Sequence, residues 1–184
     1  MNEATPRSNA PITLDHLARL SQLAAADRRQ FYLAQPDFDG YHMATVLAQG
    51  GGLHWINSVN GVKDLDVWSF FSLPLGYTRF PADIRNRHVD FGPSTLGRQH
   101  YDIQSATNER ERHRLEKWSK FTGRRVDLML RALAVPADAD PADAIQIWLR
   151  SGRRRADGSP WYLAQKGVVL IDPIERRGET IWPV

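Results

Sequence analysis

Residues 50–68 read GGGLHWINSVNGVKDLDVW, a cluster of glycines followed about a dozen residues later by two aspartates in an apolar run. Side chains alternate between the two faces of a strand, so Asp64 and Asp66 share one face, about 7 Å apart, while Leu65 and Val67 take the other. Two like charges on an apolar strand repel each other, and burying each costs several kcal/mol unless a cation offsets it. The pattern therefore predicts a buried strand that carries a site for divalent metal ions.

The composition is typical of one soluble globular domain. The chain has 184 residues, of which 42% are apolar, and its 6 Trp, 7 Phe and 5 Tyr provide the area of a packed core. It has no cysteine, which excludes disulfides and thiolate metal sites and is compatible with a reducing cytoplasm. Residues 1–10 lack the features of a signal peptide, and no apolar run is long enough to span a bilayer. We therefore expect a cytoplasmic protein that does not use a membrane.

The charge of the chain is modest, with a formal net value of +3. Of the 24 basic residues 4 are lysine, which leaves 20 arginines, and arginine suits phosphate recognition. The base composition of the source genome explains this preference equally well. One cluster is exceptional and consists of Arg150 and Arg153-Arg154-Arg155. It fits a contact with nucleic acid or another polyanion, and it also fits a solvated loop after a helix.

The wider pattern predicts an α/β (α+β) fold, a small central mixed β-sheet flanked by helices. Thr13 is a candidate N-cap for one or two N-terminal helices. The apolar run 43–48 predicts a buried strand before the glycines, with a helix from about Leu53, and residues 62–71 predict a strand in the centre of the sheet. We expect three parts: an N-terminal helical segment, a core and a mainly helical C-terminal extension packed on the core, at residues 1–40, 41–134 and 135–184.

A third carboxylate lies in the apolar strand predicted at residues 126–130, where Asp127 repeats the anomaly of the first pair. Asp90 is its rival, although Gly92 and Pro93 favour a loop there. We prefer Asp127 because of its strand context. Alternation places Arg125 on the same face as Asp127 if the strand begins that early.

These features together resemble the signature of the DNA polymerase beta-like nucleotidyltransferases. That signature is a strand ending in a glycine pair, then Asp-hydrophobic-Asp, then a later hydrophobic-Asp-hydrophobic strand. The resemblance covers the central sheet and leaves both ends of the chain unexplained. The chain departs from one common form of the motif, which has serine at the place of Gly52. The matching residues are Gly51-Gly52, Asp64-Leu65-Asp66-Val67 and Val126-Asp127-Leu128.

The resemblance implies an enzyme that transfers an NMP from an NTP, with ATP as the first expectation, to a hydroxyl or phosphate acceptor and releases pyrophosphate. It implies that Asp64 and Asp66 hold two Mg²⁺ ions, for which Mn²⁺ is a substitute, and that Asp127 binds the catalytic metal and helps to deprotonate the acceptor. The amides of Gly51 and Gly52 would approach the triphosphate. The acceptor stays open among an RNA end, a protein side chain, a small molecule such as an aminoglycoside and a second nucleotide.

Three further polar residues are candidates for contact with phosphates. Ser58 and Lys63 lie between the glycines and the aspartates. Lys166 stands alone in an apolar segment, where it either reaches the triphosphate or extends its amine to solvent from the edge of the core.

Several other functions are disfavoured by the sequence. The 6 histidines form no helical ligand pair of the kind found in zinc hydrolases, and there is no Walker A motif. Residues 92–97 have one residue too many for the nucleophile elbow of serine hydrolases. The alternative that remains is a catalytically inactive module of the same fold that binds nucleic acid through the arginines around Arg153.

Overall fold

The computed structural model describes residues 6–81, 87–151 and 162–183, which form a mixed α/β fold. The helices among these residues are α1 (Leu14–Ala34), α2 (Gln49–Asn57), α3 (Glu109–Trp118) and α4 (Pro141–Ser151). The strands are β1 (His42–Ala48), β2 (Leu65–Ser72), β3 (Arg87–Asp90), β4 (Arg125–Leu133), β5 (Val168–Asp172) and β6 (Thr180–Trp182).

The strands form one open mixed sheet in the order β3-β4-β2-β1-β5-β6. Strand β2 is parallel to β4 and antiparallel to β1, and the other neighbours are antiparallel. The predicted mixed sheet and the central position of β2 are confirmed. Because β2 and β4 run in the same direction, their first residues lie at the same end of the sheet.

Helix α1 is a single helix whose start is set by Thr13. The Thr13 hydroxyl accepts a hydrogen bond from the backbone amide of His16, and the His16 side chain accepts one from the Thr13 amide. Such reciprocal capping satisfies two amides that the helix itself leaves free. Leu17 and Leu20 are fully buried against the sheet, so α1 covers one of its faces.

Alternation along β2 divides the core into two layers. Leu65 and Val67 are fully buried in the layer that also contains α1 residues. Phe70 packs in the other layer with Ile145 of α4. Asp66 has the same parity in β2 as Phe70, so its side chain lies on the α4 face of the sheet.

The C-terminal region differs from the expected mainly helical extension. It contains α4, but β5 pairs with β1 and β6 pairs with β5, so residues assigned to 135–184 complete the sheet of the core. The run Val168–Ile171 is short, fully buried and bounded by Gly167 and Pro173. Short apolar runs of this kind fit a buried strand or a buried helical turn by periodicity alone, and only the pairing with β1 decides between them.

The glycine cluster lies inside α2 and not in a turn before it. Helix α2 begins at Gln49 instead of near Leu53. A Cβ atom on Gly52 would lie 2.3 Å from the carbonyl oxygen of Gly167, and one on Gly51 would lie 2.9 Å from the Leu47 side chain. Gly52 therefore allows close packing of α2 against the backbone that leads into β5.

The junction between β1 and α2 is strained. Gln49 has a φ of 56°, in the left-handed region that favours glycine. We expect Gln49→Gly to raise the free energy of unfolding by about 0.5–1 kcal/mol. Glycine relieves about 1–2 kcal/mol of backbone strain at this φ, which exceeds the cost of the greater freedom that it gives the unfolded chain. Urea denaturation measures the difference.

Gln35→Gly is the matched control for this substitution. Gln35 ends α1 with a φ of –138°, which any residue adopts. We expect glycine to lower the stability there, because it adds only freedom to the unfolded chain. Equal losses in the two variants would show that Gln49 is not strained.

Candidate functional site

The pairing of β2 with β4 places two of the predicted aspartates side by side. Asp66 stands opposite Asp127 in the parallel register, and on its other side Asp66 stands opposite Ala48, the last residue of β1. Asp64 lies just before β2 and reaches the same cluster, because it shares an arginine partner with Asp127. The structure therefore brings Asp64, Asp66 and Asp127 together beside the start of α2.

Arg125 connects two of these carboxylates. Its Nε donates to Oδ1 of Asp127 at 2.6 Å, and its Nη2 donates to Oδ2 of Asp127 at 2.9 Å. The same Nη2 donates to Oδ2 of Asp64 at 2.8 Å. A guanidinium offers fixed donors in a plane, so it holds Asp127 by both oxygens and also reaches Asp64.

An aromatic side chain supports the arginine. The guanidinium carbon of Arg125 lies 4.4 Å from the centre of the Trp118 ring, at the end of α3. The His88 ring packs edge-on against the same indole at 4.9 Å, and its Nδ1 donates to Oδ1 of Asp127 at 2.7 Å. Asp127 thus accepts hydrogen bonds from both Arg125 and His88.

The neighbouring carboxyls Asp66 and Asp127 have opposite electrostatic surroundings. Burial favours the neutral form of Asp127, but the hydrogen bonds from His88 and Arg125 outweigh burial and hold its pKa below the ordinary value. Burial raises the pKa of Asp66, and repulsion from Asp64 and Asp127 raises it further, to about 8, against a smaller opposing effect of Arg125. At neutral pH, Asp127 is ionised and Asp66 is mostly protonated.

Asp66 is also without a partner. Within the described part of the chain its carboxyl group forms no hydrogen bond and no ion pair. Asp66 is half-buried, and a partly desolvated carboxylate that lacks donors and lies beside two like charges is unfavourable unless a cation or another ligand compensates it.

Two polar atoms near this cluster are fully buried without a hydrogen-bond partner in the described structure, the Tyr101 hydroxyl and Nε1 of Trp68. Tyr101 packs against Trp118 at 5.6 Å, and burial raises its pKa. Trp68 follows Asp66 on the same face of β2 and lines a cavity of about 330 Å³. The cavity is completed by Phe80, Pro81, Met129, Leu130, Arg131 and Ala132.

The donor chemistry of the cluster suits a divalent cation, although its arrangement is not that of a closed metal site. Carboxylate oxygens are the ligands that Mg²⁺ and Mn²⁺ prefer. In residues 6–81, 87–151 and 162–183, no three histidine or acidic side chains converge on one point as a metal would require. Arg125 accounts for this geometry, because it draws both oxygens of Asp127 and one of Asp64 toward itself.

The other predicted phosphate contacts are spread around α2. Ser58 is exposed at the end of that helix opposite to the glycines, about 13–14 Å along the axis from Gln49. Lys63 is exposed before Asp64. Lys166 is half-buried next to Gly167, and thus close to the first turn of α2, without a hydrogen bond in the described structure. The structure does not bring Ser58 to the aspartates. Arg153, Arg154 and Arg155 lie outside the described residues.

Asp90, the rival for the third carboxylate, binds backbone instead of facing the cluster. Its oxygens accept hydrogen bonds from the amides of Gly92, Thr122 and Gly123 and from the Thr122 hydroxyl. Burial raises its pKa, but these hydrogen bonds outweigh burial and lower it. Asp90 therefore joins the loops that follow β3 and precede β4.

We expect Asp90→Asn to lower the free energy of unfolding by about 1–3 kcal/mol at pH 7, because an amide accepts fewer of these hydrogen bonds. A lowered pKa stabilises the folded state above the ordinary pKa and loses that effect as the pH falls. Urea denaturation at pH 7 and pH 3 should thus show a difference from the unsubstituted protein that shrinks at pH 3. An equal difference at both values would exclude a charge effect.

Three residues of the site had no clear sequence signal. His88 stands two positions before Asp90, and only the pairing of β3 with β4 places it opposite Asp127. Trp118 and Tyr101 come from α3 and from an irregular segment. Their roles depend on contacts across the sheet edge, which residue spacing does not reveal.

No family model, no curated protein and no solved structure matches the chain. Among the described residues no helix has both the length and the apolar character needed to cross a membrane.

Proposed function

We propose that the chain is a divalent-metal-dependent nucleotidyltransferase that moves an NMP from an NTP to a hydroxyl or phosphate acceptor. The observation that carries the proposal is the clustering of Asp64, Asp66 and Asp127, in which Asp66 is half-buried, has no hydrogen bond or ion pair among the described residues, and has a pKa raised to about 8. A metal-independent role gives no reason to keep this carboxyl. A bound cation would offset the electrostatic cost of an ionised Asp66 beside two other carboxylates.

Asp64 and Asp66 would hold the cation, with Asp127 as the third carboxylate. When bound, such a cation stabilises the charge that develops on the attacking and leaving oxygens of phosphoryl transfer. Asp66 is the residue whose protonation would change most, because cation binding favours its ionised form and lowers its pKa.

The start of α2 is suited to the phosphates of the nucleotide. Its N-cap is Ala48, which provides no side-chain hydrogen bond to the first turn. The free amides of that turn, which includes Gly50 and Gly51, carry the positive end of the helix dipole, and the turn directly follows Ala48, which pairs with Asp66 in the sheet. Gly52 packs closely against Gly167, so its role is in packing and the phosphate contacts fall to Gly50 and Gly51.

Asp127 would contribute charge and position more than basicity. Its hydrogen bonds to Arg125 and His88 hold the carboxylate ionised, and a carboxylate with a lowered pKa is a weak proton acceptor. We therefore propose that Asp127 orients the acceptor side of the site while the proton of the acceptor leaves to solvent.

Transfer of label from α-³²P-labelled NTPs tests the proposal. Each NTP is incubated with the protein and Mg²⁺ together with RNA, a mixture of proteins, or small amino alcohols as acceptors. We expect labelled product from one acceptor class, with at least about a hundredfold loss in Asp64→Asn and Asp66→Asn.

Asp138→Asn is the control for the transfer assay. Asp138 is exposed after β4, away from the cluster. We expect this variant to retain full activity. Transfer that persists in Asp66→Asn, or that does not depend on a divalent ion, would contradict the proposal.

A further inference from the structure

Arg125 stands where a cation would otherwise bind between Asp64 and Asp127. It donates to one oxygen of Asp64 and to both oxygens of Asp127, at 2.6–2.9 Å. These carboxylates are the ones that the site would need for a second metal ion.

The arginine is held firmly in this place. Its side chain is only 15% exposed, and the Trp118 ring covers the guanidinium at 4.4 Å. Charge-assisted hydrogen bonds in a partly buried site are strong, and the planar fork of the guanidinium matches the carboxylate of Asp127. If Arg125 were separated from Asp64 and Asp127, its positive charge would stay mostly buried and would have no carboxylate partner.

The charges of the cluster also favour one ion over two. The three carboxylates contribute three negative charges when all are ionised, and Arg125 offsets one of them. One divalent ion neutralises the remaining two negative charges, whereas without Arg125 one ion would leave a negative charge that attracts a second ion.

We infer that Arg125 serves as a built-in cation that positions Asp127 and limits the nucleotide-free site to one divalent ion, bound at Asp64 and Asp66. The inference rests on the proposed function and deepens it, since the family resemblance implies two ions. Arg125 is a positioning residue here, because it acts through the carboxylates.

A titration with Mn²⁺ alone, followed by isothermal calorimetry and by the electron paramagnetic resonance of the free ion, tests this inference on the full chain. We expect one Mn²⁺ per chain for the unsubstituted protein and for Arg125→Lys, which keeps the positive charge. We expect two for Arg125→Ala, with the first ion bound about tenfold more tightly because the repulsion from the guanidinium is gone.

Arg125→Gln is the second variant, because it keeps hydrogen-bond donors for Asp127 and improves the chance of folding where alanine fails. It should also bind two ions. Arg114→Ala, which removes an exposed positive charge from α3, is the control for overall charge and should bind one ion. Circular dichroism before the titration checks the fold of each variant.

The possible failures are distinguishable. Two Mn²⁺ ions on the unsubstituted protein, or one ion on folded Arg125→Ala or Arg125→Gln, would overturn the role of Arg125 and leave the proposed function intact. Absence of Mn²⁺ binding in every variant would overturn both. A merely structural arginine would change the melting temperature without changing the number of bound ions.

Discussion

Asp66→Asn is expected to make the metal-free protein more stable at pH 8 while it abolishes metal-dependent nucleotide transfer. The pKa of Asp66 is about 8 in the folded protein, against an ordinary value of 3.8. The folded state therefore holds one more proton between pH 4 and pH 8, and its stability decreases as the pH rises through that window. Asparagine does not titrate, so the variant should lack this decrease and gain on the order of a few kcal/mol at pH 8.

The measurement is urea denaturation in the presence of a chelator at pH 5 and pH 8. The two proteins should differ little at pH 5 and most at pH 8. Asp127→Asn is the matched control on the adjacent strand, and it should be destabilised by about 1–3 kcal/mol at pH 7, because Arg125 keeps Asp64 but loses its charged hydrogen bonds to Asp127. If Asp66→Asn is less stable than the unsubstituted protein at pH 8, the carboxyl has a favourable partner and the account of the site is wrong.

Gly52→Ala is expected to destabilise the fold by about 3 kcal/mol or more. The added Cβ atom would lie 2.3 Å from the carbonyl oxygen of Gly167 and 2.9 Å from that of Leu47. Both neighbours are backbone atoms, one leading into β5 and the other in β1, so relief of the contact requires movement of α2 against the sheet. Thermal and urea denaturation measure the loss.

Gly50→Ala is the control within the same cluster. A Cβ atom on Gly50 would meet no atom closer than an arginine side chain at 4.0 Å. Alanine restricts the unfolded chain and favours the helix, so we expect a gain of about 0.5–1 kcal/mol. A similar loss in the two variants would mean that the close approach of Gly52 to Gly167 does not hold the helix in place.

The carboxylate cluster was largely predictable from local patterns. Strand alternation predicts that Asp64 and Asp66 share one face, and the apolar strand around Asp127 marks it as the third member, although Asp64 lies just before β2 in the structure. The partners of these residues were not predictable to the same degree. The bridge from Arg125 to Asp64 depends on the register of β2 with β4, which is a tertiary property.

The glycines and the C-terminal strands show a second limit of sequence reasoning. A glycine pair after a strand is compatible with a phosphate-binding turn, yet Gly52 is occupied by its contact with Gly167, distant in sequence. That contact also explains why serine does not fit at Gly52. The short run Val168–Ile171 became a strand because β1 offered it an open edge to pair with.

The most direct test of the central claim is calorimetric titration of the unsubstituted protein and Asp66→Asn with each NTP, with and without Mg²⁺. The account predicts that at least one NTP binds the unsubstituted protein only when Mg²⁺ is present, and that Asp66→Asn stays folded and loses this binding. Nucleotide binding of equal strength in both proteins, or no binding of any NTP with Mg²⁺, would contradict a metal and nucleotide site at Asp66.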